Sequence, residues 1–178
     1  MNKRLCQSVV LSLLLLLSGG AWAADAGHIY EMNPPNSGED APLVKATLLS
    51  DATTVAPGES FRVGVHYELL KKWHIYWEHP GATGKPTKLS LKASGGVTVG
   101  PIQMPAPTFF PGPEGKGIWT NGYEKEVLFF AQATVPATAK PGDTITIDAS
   151  SQWLACDENC LPENNAKMVL TINVGKET

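Results

Sequence analysis

The chain has 178 residues, 43% of them hydrophobic and 17% charged, with 14 Lys+Arg against 17 Asp+Glu. A chain of this length is long enough to bury a real core in one domain and needs no cystine scaffold to do so. The acidic excess offers no basic face, so neither nucleic acid nor anionic lipid is an expected partner.

Lys3 and Arg4 precede an aliphatic run from Val9 to Leu17, and Ala21-Trp22-Ala23 follows as an A-x-A site. The run is too short to cross a bilayer, so residues 1–23 read as a signal peptide cleaved after Ala23. Cys6 leaves with it. The remaining two cysteines, Cys156 and Cys160, then belong to an exported chain. No cysteine follows the apolar run in a lipidation site and no second run has the length of a membrane helix, so no membrane insertion is expected after cleavage.

Ala24 to Pro42 is rich in Pro, Gly, Asn and acids and reads as an irregular N-terminal arm. Residues 43–178 read as one β-domain. Phe61, Val63, Val65, Tyr67 and Leu69 alternate with Arg62, Gly64, His66 and Glu68, which predicts a strand with one buried face. Leu89 and Leu91 alternate with lysine and serine. Val127 to Ala131 is a continuous apolar run. Thr144 to Ile147 and Met168 to Val174 predict two more strands. Turn signals stand between them at Ala56-Pro57-Gly58, His79-Pro80-Gly81, Ser94-Gly95-Gly96 and Lys140-Pro141-Gly142-Asp143. No stretch holds a helical period. The pattern predicts an all-β fold, an antiparallel immunoglobulin-like β-sandwich.

Pro105 to Gly122 breaks this pattern. Its four prolines exclude a central strand, yet it carries Phe109, Phe110 and Trp119. Such aromatics either plug one end of the sandwich or form a lid over a site.

The cysteines come last. Residues i and i+4 on a flat strand lie roughly 13 Å apart, beyond the reach of a disulfide. Cys156 and Cys160 meet only if the chain reverses between them, so they are expected across the end of a β-hairpin. Asp157-Glu158-Asn159 forms the loop, with Asn159 suited to a left-handed backbone, and Pro162 is expected to limit pairing of the returning strand. A ring this small restrains the unfolded chain by only about 2 kcal/mol. A redox role is therefore favoured over a local staple, and both over a metal site. Asp157, Glu158 and Glu163 disfavour thiolate, which fits an electron carrier rather than a strong oxidant. His66, His74 and His79 share one region, but their spacing forms no ligand motif, and they read as surface or hydrogen-bonding side chains. Copper handling and a binding module with an inert disulfide stay as alternatives.

Five blocks in order carry a resemblance. They are Trp73-His74-Ile75-Tyr76-Trp77-Glu78-His79-Pro80-Gly81, Gly84-Lys85-Pro86-Thr87, Gly100 to Pro107, Gly122-Tyr123-Glu124 and Trp153-Leu154-Ala155-Cys156…Cys160-Leu161-Pro162. Together they resemble the N-terminal periplasmic domain of DsbD-type thiol:disulfide interchange proteins, most nearly the suppressor-of-copper-sensitivity branch. The resemblance implies a redox hairpin under a cap loop. Cys156 and Cys160 would be the redox pair, with Cys160 attacking and Cys156 resolving. Phe109, Phe110 and Trp119 would lie in the cap, with Trp73, Tyr76 and Tyr123 lining the site. It implies thioredoxin-fold periplasmic proteins as partners, a separate membrane disulfide reductase as electron source, and no cofactor beyond the redox-active disulfide. The chain departs from the family in lacking a transmembrane region and a thioredoxin domain, so a stand-alone member or a fragment is expected.

Overall fold

The computed structural model describes residues 28–33, 41–111 and 119–176. The expected signal peptide, most of the N-terminal arm and residues 112–118 of the expected cap lie outside them. Twelve strands follow in chain order: β1 (Ile29–Met32), β2 (Val44–Ser50), β3 (Thr54–Val55), β4 (Ser60–Leu69), β5 (His74–Gly81), β6 (Lys88–Ala93), β7 (Thr98–Val99), β8 (Thr108–Pro111), β9 (Trp119–Glu124), β10 (Glu126–Thr134), β11 (Thr144–Cys156) and β12 (Cys160–Val174). None of the described residues is helical, and no described helix is long and apolar enough to cross a membrane.

Two sheets pack face to face as an immunoglobulin-like β-sandwich. One runs β1-β2-β4-β10-β7; the other runs β3-β12-β11-β5-β9-β8, with β6 also pairing β11. Every pairing is antiparallel except that of β12 with β3. The strand expected around Phe61 to Leu69 is β4, and its alternate residues Phe61, Val63, Val65 and Tyr67 are buried. The run at Val127 to Ala131 is also amphipathic: Val127, Phe129 and Ala131 are buried while Leu128 and Phe130 are only partly so.

A chain of aromatic contacts crosses the core. Trp153 stands edge-on to Tyr30 and Tyr67, at 5.8 and 5.6 Å between centroids. Tyr67 meets Phe129 at 5.2 Å, and Phe129 meets Tyr123 at 5.3 Å. The Tyr67 hydroxyl and Ser151 Oγ, 2.6 Å apart, join the two sheets by a buried hydrogen bond. Such edge-to-face aromatic pairs add to the stabilisation from burial itself.

Three expectations change. The N-terminal arm is not wholly irregular: Ile29–Met32 pairs with β2, because Tyr30 packs on Trp153 and donates to Glu163, and Met32 accepts from Trp153 Nε1. His79-Pro80-Gly81 forms the last residues of its strand rather than a turn outside it. β5 runs through Gly81, whose φ of 91° and close approach to the Trp119 carbonyl suit only glycine. The segment from Pro105 to Gly122 is partly strand, because its described prolines, Pro105, Pro107 and Pro111, fall before β8 or at its end, and β8 is an edge.

Candidate functional site at the β11–β12 hairpin

Cys156 and Cys160 are direct partners in the β11–β12 register and form a disulfide, with Cα atoms 4.2 Å apart. The turn uses an acidic side chain rather than a left-handed residue. Asp157 Oδ1 accepts from the Asn159 N–H at 2.8 Å, and the Asp157 N–H donates to the Asn159 carbonyl at 3.0 Å. Asn159 does not have positive φ, so the left-handed expectation fails. Pro162 does not limit pairing either. It sits opposite Leu154 between two paired neighbours, Leu161 and Glu163, and the register shifts only beyond them, between Ser151 and Trp153.

Strand alternation decides which way the pair faces. Trp153 and Ala155 enter the core, so Leu154 and Cys156 point to the outer face of the sheet. Cys156 is nevertheless only 2% exposed, whereas Cys160 is exposed. An outward side chain can be buried only under a cover. Here the cover is aromatic. His74 on β5 is the register partner of Cys156, so the two side chains share a face with Cβ atoms about 5 Å apart. The His74 ring lies against Phe110 at 5.2 Å, tilted by 31°, and edge-on to Tyr76 at 5.1 Å. His74 Nε2 and the Tyr76 hydroxyl are 3.2 Å apart. With Thr83, Gly84 and Thr120 they line a cavity of about 490 Å³ whose wall includes both cysteines, Asp157 and Glu158.

Glycine makes this packing possible at two places. Gly84 has φ of 92°, and a Cβ there would lie 2.2 Å from Tyr76 Cε1. A Cβ on Gly122 would lie 2.2 Å from the Ile75 carbonyl and 3.3 Å from Phe110. Both glycines let neighbouring chain or ring approach where any side chain would stand.

Burial holds the His74 imidazole below its ordinary pKa, against the opposing pull of Glu124 and Asp157. Burial likewise pushes up the Tyr76 hydroxyl. At neutral pH the disulfide therefore faces a neutral imidazole and a neutral phenol.

The residues singled out in the sequence separate. Tyr76 and Phe110 share the cavity with the cysteines. Phe109 and Trp119 alternate to the other face of the β8–β9 pair and stay 66% and 56% exposed. Tyr123 faces the core, and its hydroxyl donates to the Pro105 carbonyl at 2.7 Å. Trp73 lines a neighbouring cleft with Lys71, Lys72 and Glu124. His74, read from sequence as a surface or hydrogen-bonding residue, is part of the site wall. Its parity with Tyr76 along the strand was the available signal.

Residues 45–172 match the family model described as the N-terminal region of thiol:disulfide interchange protein DsbD. The chain belongs to this family. As a DsbD N-terminal domain it is a thiol:disulfide interchange domain, and Cys156–Cys160 is its disulfide. No curated protein matches it. Among solved structures, it is similar to the N-terminal periplasmic domain of ScsB from Proteus mirabilis, at 17% identity and a TM-score of 0.49, over 79% of this chain and 49% of that one. The chain thus spans about half the length of that relative. It is also similar to the reduced N-terminal domain of Neisseria meningitidis DsbD, at 15% identity and a TM-score of 0.38, over 73% of this chain and 83% of that one. A third similarity is to the GAE domain of yeast GGA1, at 9% identity and a TM-score of 0.38, over 80% and 98% of the two chains.

In this DsbD N-terminal domain the geometry distinguishes the two sulfur-bearing residues. A thiolate approaching from solvent meets the hairpin at Cys160, while Cys156 is buried. Exchange needs access to one sulfur and a leaving group on the other.

Proposed function

We propose that the domain is a periplasmic protein-disulfide reductase that passes electrons from the Cys156/Cys160 dithiol to thioredoxin-fold partners. The observation that carries this reading is the asymmetry of the pair: one cysteine is exposed at a hairpin tip and the other is buried beside His74, at the wall of a cavity that Phe110 also lines. A staple needs no such asymmetry. An exchange centre uses it to present one sulfur and protect the intermediate. Cys160 attacks the partner disulfide, and Cys156 resolves the mixed disulfide that forms. The electrons come from a separate membrane disulfide reductase, and the chain is exported behind its leader.

The test is a Cys156→Ala variant, which retains the attacking thiol and lacks the resolving one. It is expected to accumulate a mixed disulfide with a thioredoxin-fold protein of the periplasm, released by reductant. Absence of any such adduct removes the reading. A reduction potential of the wild-type pair below about −300 mV would also count against it, because such disulfides resist exchange.

A further inference from the structure

The registers of four strands place Glu124, His74, Cys156 and Cys160 in one row across β9, β5, β11 and β12. Glu124 pairs with His74, His74 with Cys156, and Cys156 with Cys160. Register partners in antiparallel strands project to the same face. A carboxylate, an imidazole and two sulfurs therefore stand side by side on the outer face of the sheet. The Tyr76 hydroxyl engages His74 Nε2, so Nδ1 is the ring nitrogen left to exchange a proton with a thiol. Phe110 lies against the ring.

We infer that His74 is the general base of the resolving step, taking the thiol proton of Cys156 as its sulfur attacks the mixed disulfide. This assignment rests on the interchange reading above. In the reduced domain, the Cys160 thiolate attacks one sulfur of the partner disulfide. The partner S–S bond breaks, and its other sulfur leaves with the bonding pair as a thiolate. Cys156 then gives its proton to His74, and its thiolate attacks Cys160 Sγ. The bond between Cys160 and the partner breaks, and the second partner sulfur leaves as a thiolate and takes the proton from the imidazolium. Two electrons pass from the cysteine pair, which becomes the disulfide, to the partner, which becomes the dithiol.

The division of labour follows from burial. Cys160 can lose its proton to water because it is exposed. Cys156 is buried, so its thiolate needs an acceptor within the site. The imidazole is held neutral by burial and is free to accept. The groups facing it are Tyr76 from its own strand, Glu124 from β9, the cysteines from β11 and β12, and Asp157 and Glu158 from the hairpin loop; β8 contributes only Phe110. Of these, Glu124 and Asp157 raise the imidazole's affinity for a proton and stabilise the imidazolium once formed.

The reduced full-length protein can be mixed with excess dithiobis(nitrobenzoate) in a stopped-flow instrument. The first nitrobenzoate thiolate reports attack, and the second reports resolution. His74→Gln is expected to slow the second phase about tenfold or more, with a much smaller effect on the first. The inflection in the pH profile of the second phase should disappear, and imidazole added to a His74→Gly variant should restore rate. Glu124→Gln, an exposed change, should shift that inflection to lower pH. A second phase unchanged in rate and pH profile in His74→Gln, or an inflection unmoved in Glu124→Gln, overturns the assignment. If the wild-type protein shows no second release at all, the interchange reading itself fails. Two wild-type phases with no effect of either variant leave that reading intact and remove only His74.

Discussion

His74 lies where strand geometry and solvation oppose each other. Its folded pKa is depressed, so the native state takes up the proton less readily than the unfolded chain. Stability from the neutral ring is therefore complete above the unfolded value of about 6.5, and is lost as pH falls through that value towards the depressed one. Urea midpoints of the oxidised wild type and a His74→Phe variant, followed from about pH 7.5 to about pH 5, should diverge, the wild type losing more. Parallel curves would show that the ring carries no such linkage. Gly84 makes a second residue-level case. An alanine there meets both a positive φ and the Tyr76 ring, and is expected to destabilise the fold by about 1–3 kcal/mol or to displace Tyr76. A urea midpoint unchanged in Gly84→Ala would contradict this packing. Neither residue could be ranked from sequence. Cys156 meets His74 only through a pairing of distant strands, and a glycine in a bend does not show what leans on it.

The β8–β9 pair shows how much of an element depends on its neighbours. Four prolines hid both strands from a pattern reading, although only the edge position of β8 was needed to accommodate them. The aromatics of this segment were visible as a group; their division between two faces was not. Phe110 contacts the site, and Phe109 points away from it. Replacing Phe110 by Ala should speed reduction of the disulfide by dithiothreitol about fivefold, equivalent to the loss of about 1 kcal/mol of cover. Phe109→Ala should leave that rate unchanged. Equal rates in the two variants would mean that the cover lies elsewhere. By contrast β4 was legible in full, because Phe61, Val63, Val65, Tyr67 and Leu69 alternate in sequence with polar residues and Gly64, and the burial of Gly64 adds no apolar side chain to break the period. β2 was not, because Ala46, Thr47 and Leu48 are buried in succession and the period is lost.

At the scale of the whole molecule, no cystine spans the sandwich among the described residues, and its two sheets are held by packed aromatics and the Tyr67–Ser151 hydrogen bond. Reducing Cys156–Cys160 opens only a five-residue ring and should lower stability by about 2 kcal/mol at most. Calorimetry of the oxidised and reduced protein measures this directly; unfolding on reduction would give the bond a structural role that its position does not suggest. Tyr67→Phe should cost about 1 kcal/mol, since Ser151 Oγ keeps its bond to the Lys88 carbonyl at 3.0 Å, and a loss several times larger would show that the sheets depend on that hydroxyl. The sandwich class was readable from strand length and turn spacing, which local sequence sets. The order of strands was not, because it is fixed by which faces bury together.

The placement of the disulfide on the outside of the sheet has one more consequence. Side chains that set the chemistry and side chains that set the fold occupy opposite surfaces of the same strands: Cys156 and Leu154 on one, Trp153 and Ala155 on the other. Mutational drift at the mouth can change the surroundings of the disulfide while the interior stays constant. The sandwich then acts as a handle that can be kept while the tool at its edge is changed.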